Sequence, residues 1–277
     1  MSPTVTATGS ASDPVILAAG DIANCNTTGD GKTAALVNAN PSAVVLTLGD
    51  NAYPDGSTTD FSNCYNPTWG TFLNRTHPSI GNHEYLTANA SGYFGYFGAA
   101  AGDPSKGYYS FNVGAWHIIA INSNCSQVGG CSNGNPQENW LEADLAANKN
   151  TCTLAFWHHP RFSSGQNGSY TFMQTIWQDL YNAGAELVLN GHDHDYERFA
   201  PQTPSGGLDN AKGIQEIVTG TGGSNNTPFV TTLPNSLVRN DKTFGVLKLT
   251  LHPNSYDWQF VPISGQTFTD SGSATCH

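Results

Sequence analysis

Four apolar runs of strand length punctuate the chain, and each closes on a polar residue: VILAAGD (15–21), AVVLTLGD (43–50), CTLAFWHH (152–159) and AELVLNGH (185–192). Their apolar residues are continuous rather than alternating, the pattern of strands buried on both faces. Between them the period changes. GDGKTAALVNAN (29–40), NPQENWLEADLAANK (135–149) and SYTFMQTIWQDLYNAG (169–184) read as helices. In the second, Asn135 offers an N-cap, Pro136 suits the first helical position, and Trp140, Leu141 and Leu145 share a face. The third ends at Gly184, a C′ candidate. Strand alternating with helix predicts a layered α/β fold. The segments 108–122 and 244–261 instead alternate around Gly or Pro-Asn turns and read as hairpins, so the sheets should be mixed. No internal repeat is visible, and no linker is long enough to divide the chain. The expected organisation is a flexible segment 1–13 followed by a single domain over 14–277.

Composition narrows the function. A net charge of −11, with ten Lys plus Arg, argues against a nucleic-acid face. An anionic ligand would then need a local cation to attract it, which directs attention to metals. No apolar run approaches the roughly 20 residues that span a bilayer. The six cysteines form no CxxC pair, so disulfides in an exported protein fit better than structural zinc. CSQVGGC closes so short a loop that Cys125–Cys131 is the first pairing, and Cys25–Cys64 and Cys152–Cys276 follow by elimination. The start MSPTVTATGSASDP has neither a basic n-region nor an apolar h-region, and reads as a mature end without its signal peptide. A secreted or periplasmic location is expected. Asn26, Asn74, Asn89, Asn167 and Asn225 lie in glycosylation-type triplets.

The chemistry collects where the apolar runs stop. They deliver Asp21, Asp50, His158 and His192, the last followed one residue later by His194. A fifth turn, SIGNHEY (79–85), supplies Asn82, His83 and Glu84. Sites in open α/β sheets form outside the carboxyl ends of strands, so these residues should converge. Gly precedes Asp21, Asp50, Asn82 and His192, where it would let the chain turn sharply. One Gly-Asp means little; four such turns and His-His-Pro in one chain mean much more. Each residue taken alone is an ordinary turn or cap residue.

The blocks GD (20–21), GDNAY (49–53), GNHE (81–84), HHP (158–160) and GHDH (191–194) resemble, in order, the five blocks of the calcineurin-like metallophosphoesterases. Many members carry Asp-x-His in the first block, where this chain has Ala23. Tyr53, three residues after Asp50, is instead similar to the purple acid phosphatases, as is YER at 196–198. Asp21 comes too early for the extra N-terminal β-domain of the plant enzymes, so a catalytic domain alone is expected. The resemblance implies a four-layer α/β/β/α sandwich with two mixed β-sheets and a dinuclear metal site at one sheet edge. It implies that Asp50 bridges two ions, with Asp21, Tyr53 and His194 completing one site and Asn82, His158 and His192 the other.

Fe3+ suits a site with a Tyr53 phenolate, and Zn2+, Mn2+ or Fe2+ suits the second. Two carboxylates, a phenolate and a bridging hydroxide total about −4, so an Fe3+–M2+ pair leaves about +1 to attract phosphate. The implied activity is hydrolysis of small-molecule phosphate monoesters by a metal-bound hydroxide. Alternatives are a phosphodiesterase acting on cyclic nucleotides or phospholipid headgroups at the same site, and a secreted metal- or phosphate-binding protein without turnover. By the same resemblance His83 assists the leaving group, oriented by Glu84. His159, and less so Arg161, are read as candidates to bind a phosphate oxygen from behind the ligands. His77, His117, His252 and His277 match no block and read as structural. The aromatic stretch 85–98 either walls the pocket or forms local core, and the loops 85–105, 122–135 and 222–241 are expected to govern substrate choice.

Overall fold

The computed structural model describes residues 13–150 and 152–277, so all of the expected flexible segment except Asp13 lies outside the described residues. The strands are, in chain order, β1 (Val15–Ala19), β2 (Ala23–Asn24), β3 (Val44–Leu48), β4 (Ala52–Tyr53) and β5 (Thr76–Ser79). They continue with β6 (Tyr109–Val113), β7 (Trp116–Ala120), β8 (Cys152–Phe156), β9 (Leu187–Asn190) and β10 (Tyr196–Phe199). The last are β11 (Gln215–Thr219), β12 (Ser236–Asn240), β13 (Gly245–His252), β14 (Ser255–Pro262) and β15 (Ser271–Thr275).

One sheet has the order β15-β14-β13-β1-β3-β5 and the other β12-β10-β11-β9-β8-β7-β6. In the first, β1, β3 and β5 are parallel, and β13 joins β1 antiparallel. In the second, β7, β8, β9 and β11 are parallel while β6 and β10 run against them. Both sheets are mixed, as expected, and both expected hairpins form, as β6–β7 and β13–β14.

Three apolar cores separate four layers. Ile16, Ala18, Leu46 and Leu48 of the first sheet meet Ile118, Leu154, Phe156 and Leu189 of the second in the central core. Leu17, Ala19 and Val45 face the other way, under Ala34 and Val37 of the helix Gly29–Asn38 and an aromatic cluster of Phe61, Tyr65, Trp69 and Tyr93. On the far side, Ile119, Ala155 and Val188 pack against Leu141, Ile176, Trp177 and Leu180 of the helices Pro136–Ala147 and Gln174–Asn182. Both faces of each central strand are covered, which is why the apolar runs do not alternate. Burying a Leu, Ile or Phe contributes about 1.5–3 kcal/mol, so these layers hold the strand ends rigidly.

Local detail departs from expectation in places. Asn135 has an N-cap backbone, but its carboxamide accepts from the Ser132 N–H at 2.9 Å and leaves the helix uncapped. Gly184, at φ +77°, does end its helix. In the 85–98 stretch Tyr93, Phe94 and Phe97 are buried core rather than pocket wall. All three disulfides pair as anticipated: Cys25–Cys64, Cys125–Cys131 and Cys152–Cys276. The last ties the start of β8, in one sheet, to the residue after β15, in the other. Among the described residues no helix is long and apolar enough to cross a membrane.

Candidate metal centre

Six of the seven predicted ligands lie just past a strand. Asp21 follows β1, Asp50 follows β3 and Asn82 follows β5, all in the first sheet; His158 follows β8 and His192 and His194 follow β9, in the second. The short parallel pair β2–β4 sets Asn24 beside Tyr53 and carries the phenol to the same point. The sharp turns fall on the ligands themselves: Asp21, Asp50 and His192 have φ of +59°, +48° and +71°. A left-handed residue other than Gly stores about 1–3 kcal/mol and concentrates at functional sites. Of the four glycines expected to provide flexible turns, only Gly49 has a positive φ, +82°. The others provide space. A Cβ on Gly81 would stand 2.0 Å from Asp50 Oδ1, and one on Gly191 would stand 2.7 Å from Asp21 Oδ2.

The donor atoms form two groups that share one oxygen. Tyr53 Oη lies 2.9 Å from Asp21 Oδ1, 3.1 Å from Asp50 Oδ2 and 3.1 Å from His194 Nε2, and that nitrogen is 3.2 Å from Asp21 Oδ1. His158 Nε2 lies 3.2 Å from the same Asp50 Oδ2, 3.0 Å from Asn82 Oδ1 and 3.1 Å from His192 Nδ1. Asp50, His158 and His192 offer ligand atoms within 4.8 Å of one another. Ligand atoms bound at 2.0–2.2 Å to one six-coordinate ion stand roughly 3 Å apart. The residues therefore have the donor spacing that two cations sharing Asp50 would need.

Charge agrees with geometry. Asp21 and Asp50 are buried, and their ion-pair partners among the described residues are histidines, with no Lys or Arg. Burial alone would raise the Asp50 carboxyl, yet His158 and then His83 hold it well below the usual carboxylate range. Burial would likewise lower His158, but Asp50 beside it pushes the imidazole up to about 9. Burial first, then Asp21 and Asp50, keeps the Tyr53 phenol well above its ordinary value. Burial, followed by the His158 charge, pushes His192 down to about 2. Buried carboxylates faced by histidines alone form a nest whose natural counter-charge is cationic.

Neighbouring groups orient the ligands. Leu48 O lies 2.8 Å from His158 Nδ1, Asn225 Oδ1 2.9 Å from His194 Nδ1, and the His192 N–H donates to Asp21 Oδ2 at 2.7 Å. Asp193, between the two ligand histidines, points away from the centre. Its carboxylate accepts from the Ser163 hydroxyl and from the Asn167 and Gly168 N–H groups, at 2.7 and 3.2 Å for the latter two. Glu216 and Glu197 accept from the N–H groups of Arg161, Phe162 and Ser164. Three buried acids thus fasten the loop 161–168 from beneath.

Several expected roles change. Glu84 does not orient His83: its carboxylate accepts from the backbone N–H groups of Asp50, Asn51, Ala52 and Gly81, at 3.1, 2.7, 3.4 and 2.7 Å. His83 is held instead through Nδ1, 2.5 Å from Pro54 O. Arg161 is stacked over Phe162 and donates to Pro204 O at 2.9 Å, so it belongs to the loop underside. His159 is buried behind His158, with Nδ1 2.8 Å from Ser123 Oγ, and burial followed by the His158 charge pushes it down to about 3. Asn167 and Asn225, read as glycosylation positions, lie beside the centre; the Asn167 amide donates to His192 O at 2.8 Å. His77, His117, His252 and His277 pair elsewhere, with Phe111, Asp144, Asp13 and Glu186. Tyr170, unnoticed in the sequence, stands 2.6 Å from His192 Nε2. Only the aromatic ending of its loop could have hinted at it.

A family model described as calcineurin-like phosphoesterase matches residues 14–196. The chain belongs to that family. Among curated proteins, this calcineurin-like phosphoesterase is 28% identical to purple acid phosphatase 15 of Arabidopsis thaliana over 59% of the chain and 37% of the relative. It is 27% identical to acid phosphatase A of Cryphonectria parasitica over 60% of the chain and 38% of the relative. The chain thus spans less than two fifths of the length of these relatives. The solved purple acid phosphatase PPD1 from yellow lupin seeds superimposes with a TM-score of 0.75 at 18% identity, over 96% of this chain and 54% of that one. A Plasmodium protein titled GAP50, the anchor in the inner membrane complex, superimposes at 0.71 and 17% identity, over 96% and 90%. These structures share the expected two-sheet metallophosphoesterase fold, which by itself carries no single function.

Proposed function

We propose that the chain hydrolyses phosphate monoesters at a dinuclear metal centre held by Asp21, Asp50, Tyr53, Asn82, His158, His192 and His194. The single observation that carries this reading is the Asp50 Oδ2 oxygen shared by the two donor groups, at 3.1 Å from Tyr53 Oη and 3.2 Å from His158 Nε2. The hard Asp21–Tyr53–His194 set suits Fe3+, and the Asn82–His158–His192 set suits Zn2+, Mn2+ or Fe2+. Such a pair supplies Lewis acidity, which makes water a nucleophile near neutral pH and offsets charge on the phosphoryl oxygens.

The protein's own groups do the rest. Pro54 O can only accept, so His83 Nδ1 carries hydrogen and turns Nε2 towards the centre, 3.8 Å from Asp50 Oδ2. A protonated His83, a third exposed, can then give its Nε2 proton to the leaving alkoxide. His159 is held by Ser123 Oγ, which accepts from its backbone N–H at 3.0 Å and lies 2.8 Å from its Nδ1. It is kept as a proposed phosphate contact from behind His158. Three disulfides support an oxidising, extracytoplasmic location.

Elemental analysis combined with turnover of p-nitrophenyl phosphate and its bis ester tests this. Two metals per chain with faster monoester cleavage are expected, and Asp50→Asn or His192→Ala should lose metal and activity together. Full activity in either variant would overturn the reading.

A further inference from the structure

The mouth of the centre carries a hydroxyl that no sequence motif marks. His192 presents Nδ1 to the donor group, 3.1 Å from His158 Nε2, so its hydrogen belongs on Nε2. That nitrogen lies 2.6 Å from Tyr170 Oη, which must therefore accept. The hydrogen of the Tyr170 hydroxyl then has no acceptor among the described residues, since its remaining bonds are made by its backbone, N–H to Pro160 O at 3.0 Å and O from the Met173 N–H at 3.2 Å. A half-buried phenol beside a ligand, accepting one bond with its own donor unspent, is a group waiting for an anion's oxygen.

Position supports this. The Tyr170 ring packs at 4.8 Å from His159, 5.1 Å from His192 and 5.2 Å from Phe172, centroid to centroid, which holds its hydroxyl at the edge of the centre. The loop leading to it is fastened by Asp193, Glu197 and Glu216, as described above. Phe172, 44% exposed, extends the aromatic edge outwards.

We infer that the Tyr170 hydroxyl binds a non-bridging oxygen of the phosphoryl group, in the substrate and in released phosphate, while its lone pair fixes the His192 tautomer. The inference rests on the phosphatase reading and names a phosphate-binding residue for it. No bond is made or broken by Tyr170; it accepts one hydrogen bond and donates another.

The test measures inorganic phosphate binding by calorimetry on protein loaded at saturating metal, with metal content determined in the same sample. Tyr170→Phe should hold the same metal content and bind phosphate about 10- to 100-fold more weakly, the range for a lost hydrogen bond to a charged group. Tyr170→His, which keeps a donor on a ring, should recover part of the loss. Phosphate affinity within twofold of wild type in Tyr170→Phe would overturn the assignment and leave the phosphatase reading standing. So would a loss confined to metal affinity, because Tyr170 would then only position His192. A wild-type chain that loads metal but binds no phosphate would overturn both.

Discussion

Tyr53 holds its hydroxyl oxygen 2.9 Å from Asp21 Oδ1, in a buried pocket where nothing but a cation would favour the phenolate. Iron-loaded protein should therefore be coloured by phenolate-to-iron charge transfer, and Tyr53→Phe should bleach it. Visible absorption with elemental analysis checks this. The metal set by Asn82, His158 and His192 should persist in the variant, and a band that survives unchanged would remove Tyr53 from the ligands.

His83 should matter in proportion to how badly the leaving group needs a proton. His83→Ala is expected to lower kcat about 10²–10⁴-fold on an alkyl phosphate. On p-nitrophenyl phosphate, whose leaving group is already a stable anion, the loss should be much smaller. Equal losses on both substrates would favour a role in binding.

Glu84→Gln separates a structural acid from a catalytic one. The carboxylate accepts from four backbone N–H groups, and the amide would turn an NH2 donor towards some of them. A loss of about 2 kcal/mol or more is expected, seen as a lower Tm and weaker metal retention. The ratio of alkyl to aryl turnover, which reports on His83, should not move.

Far from the centre, Asp179 should make the protein less stable as pH rises. Burial first, then Glu138 and Glu142, pushes its carboxyl up to about 6, against about 3.9 when unfolded. The folded chain holds this proton more tightly, so stability falls between about pH 4 and 6 and the loss is complete above that. Asp179→Asn should raise Tm by a few degrees at pH 7.5, about 1–2 kcal/mol after allowing for partial exposure, and change little at pH 4. A gain that is the same at both pH values would contradict this origin.

Much of the fold was legible because burial on both faces leaves a coarse trace in sequence. Continuous apolar runs marked β1, β3, β8 and β9, and the ligands simply follow where those runs stop. β5 was not legible: THPS contains a His and a Pro and reads as loop. β11 begins Gln215-Glu216 because its Glu216 carboxylate is needed under the loop 161–168, so polar residues sit where apolar ones would signal a strand. Most candidate ligands stand out through their spacing relative to glycine. Glu84 was misread because adjacency to His83 says nothing of direction, and its side chain turns to backbone amides instead. Tyr170 and Asn225 reach the centre from irregular segments, where proximity depends on loop path rather than on any period.

Six of the seven proposed ligands divide evenly between two separate sheets, with Asp21, Asp50 and Asn82 on one and His158, His192 and His194 on the other, while Tyr53 comes from the short β2–β4 pair. Cations bound there would act as a rivet across the seam, at the edge opposite the clasp made by Cys152 and Cys276. Chelation should accordingly unfasten one border of the sandwich and spare the other. Hydrogen exchange would register it as faster deuterium uptake at the ends of β1 and β9 than around the start of β8.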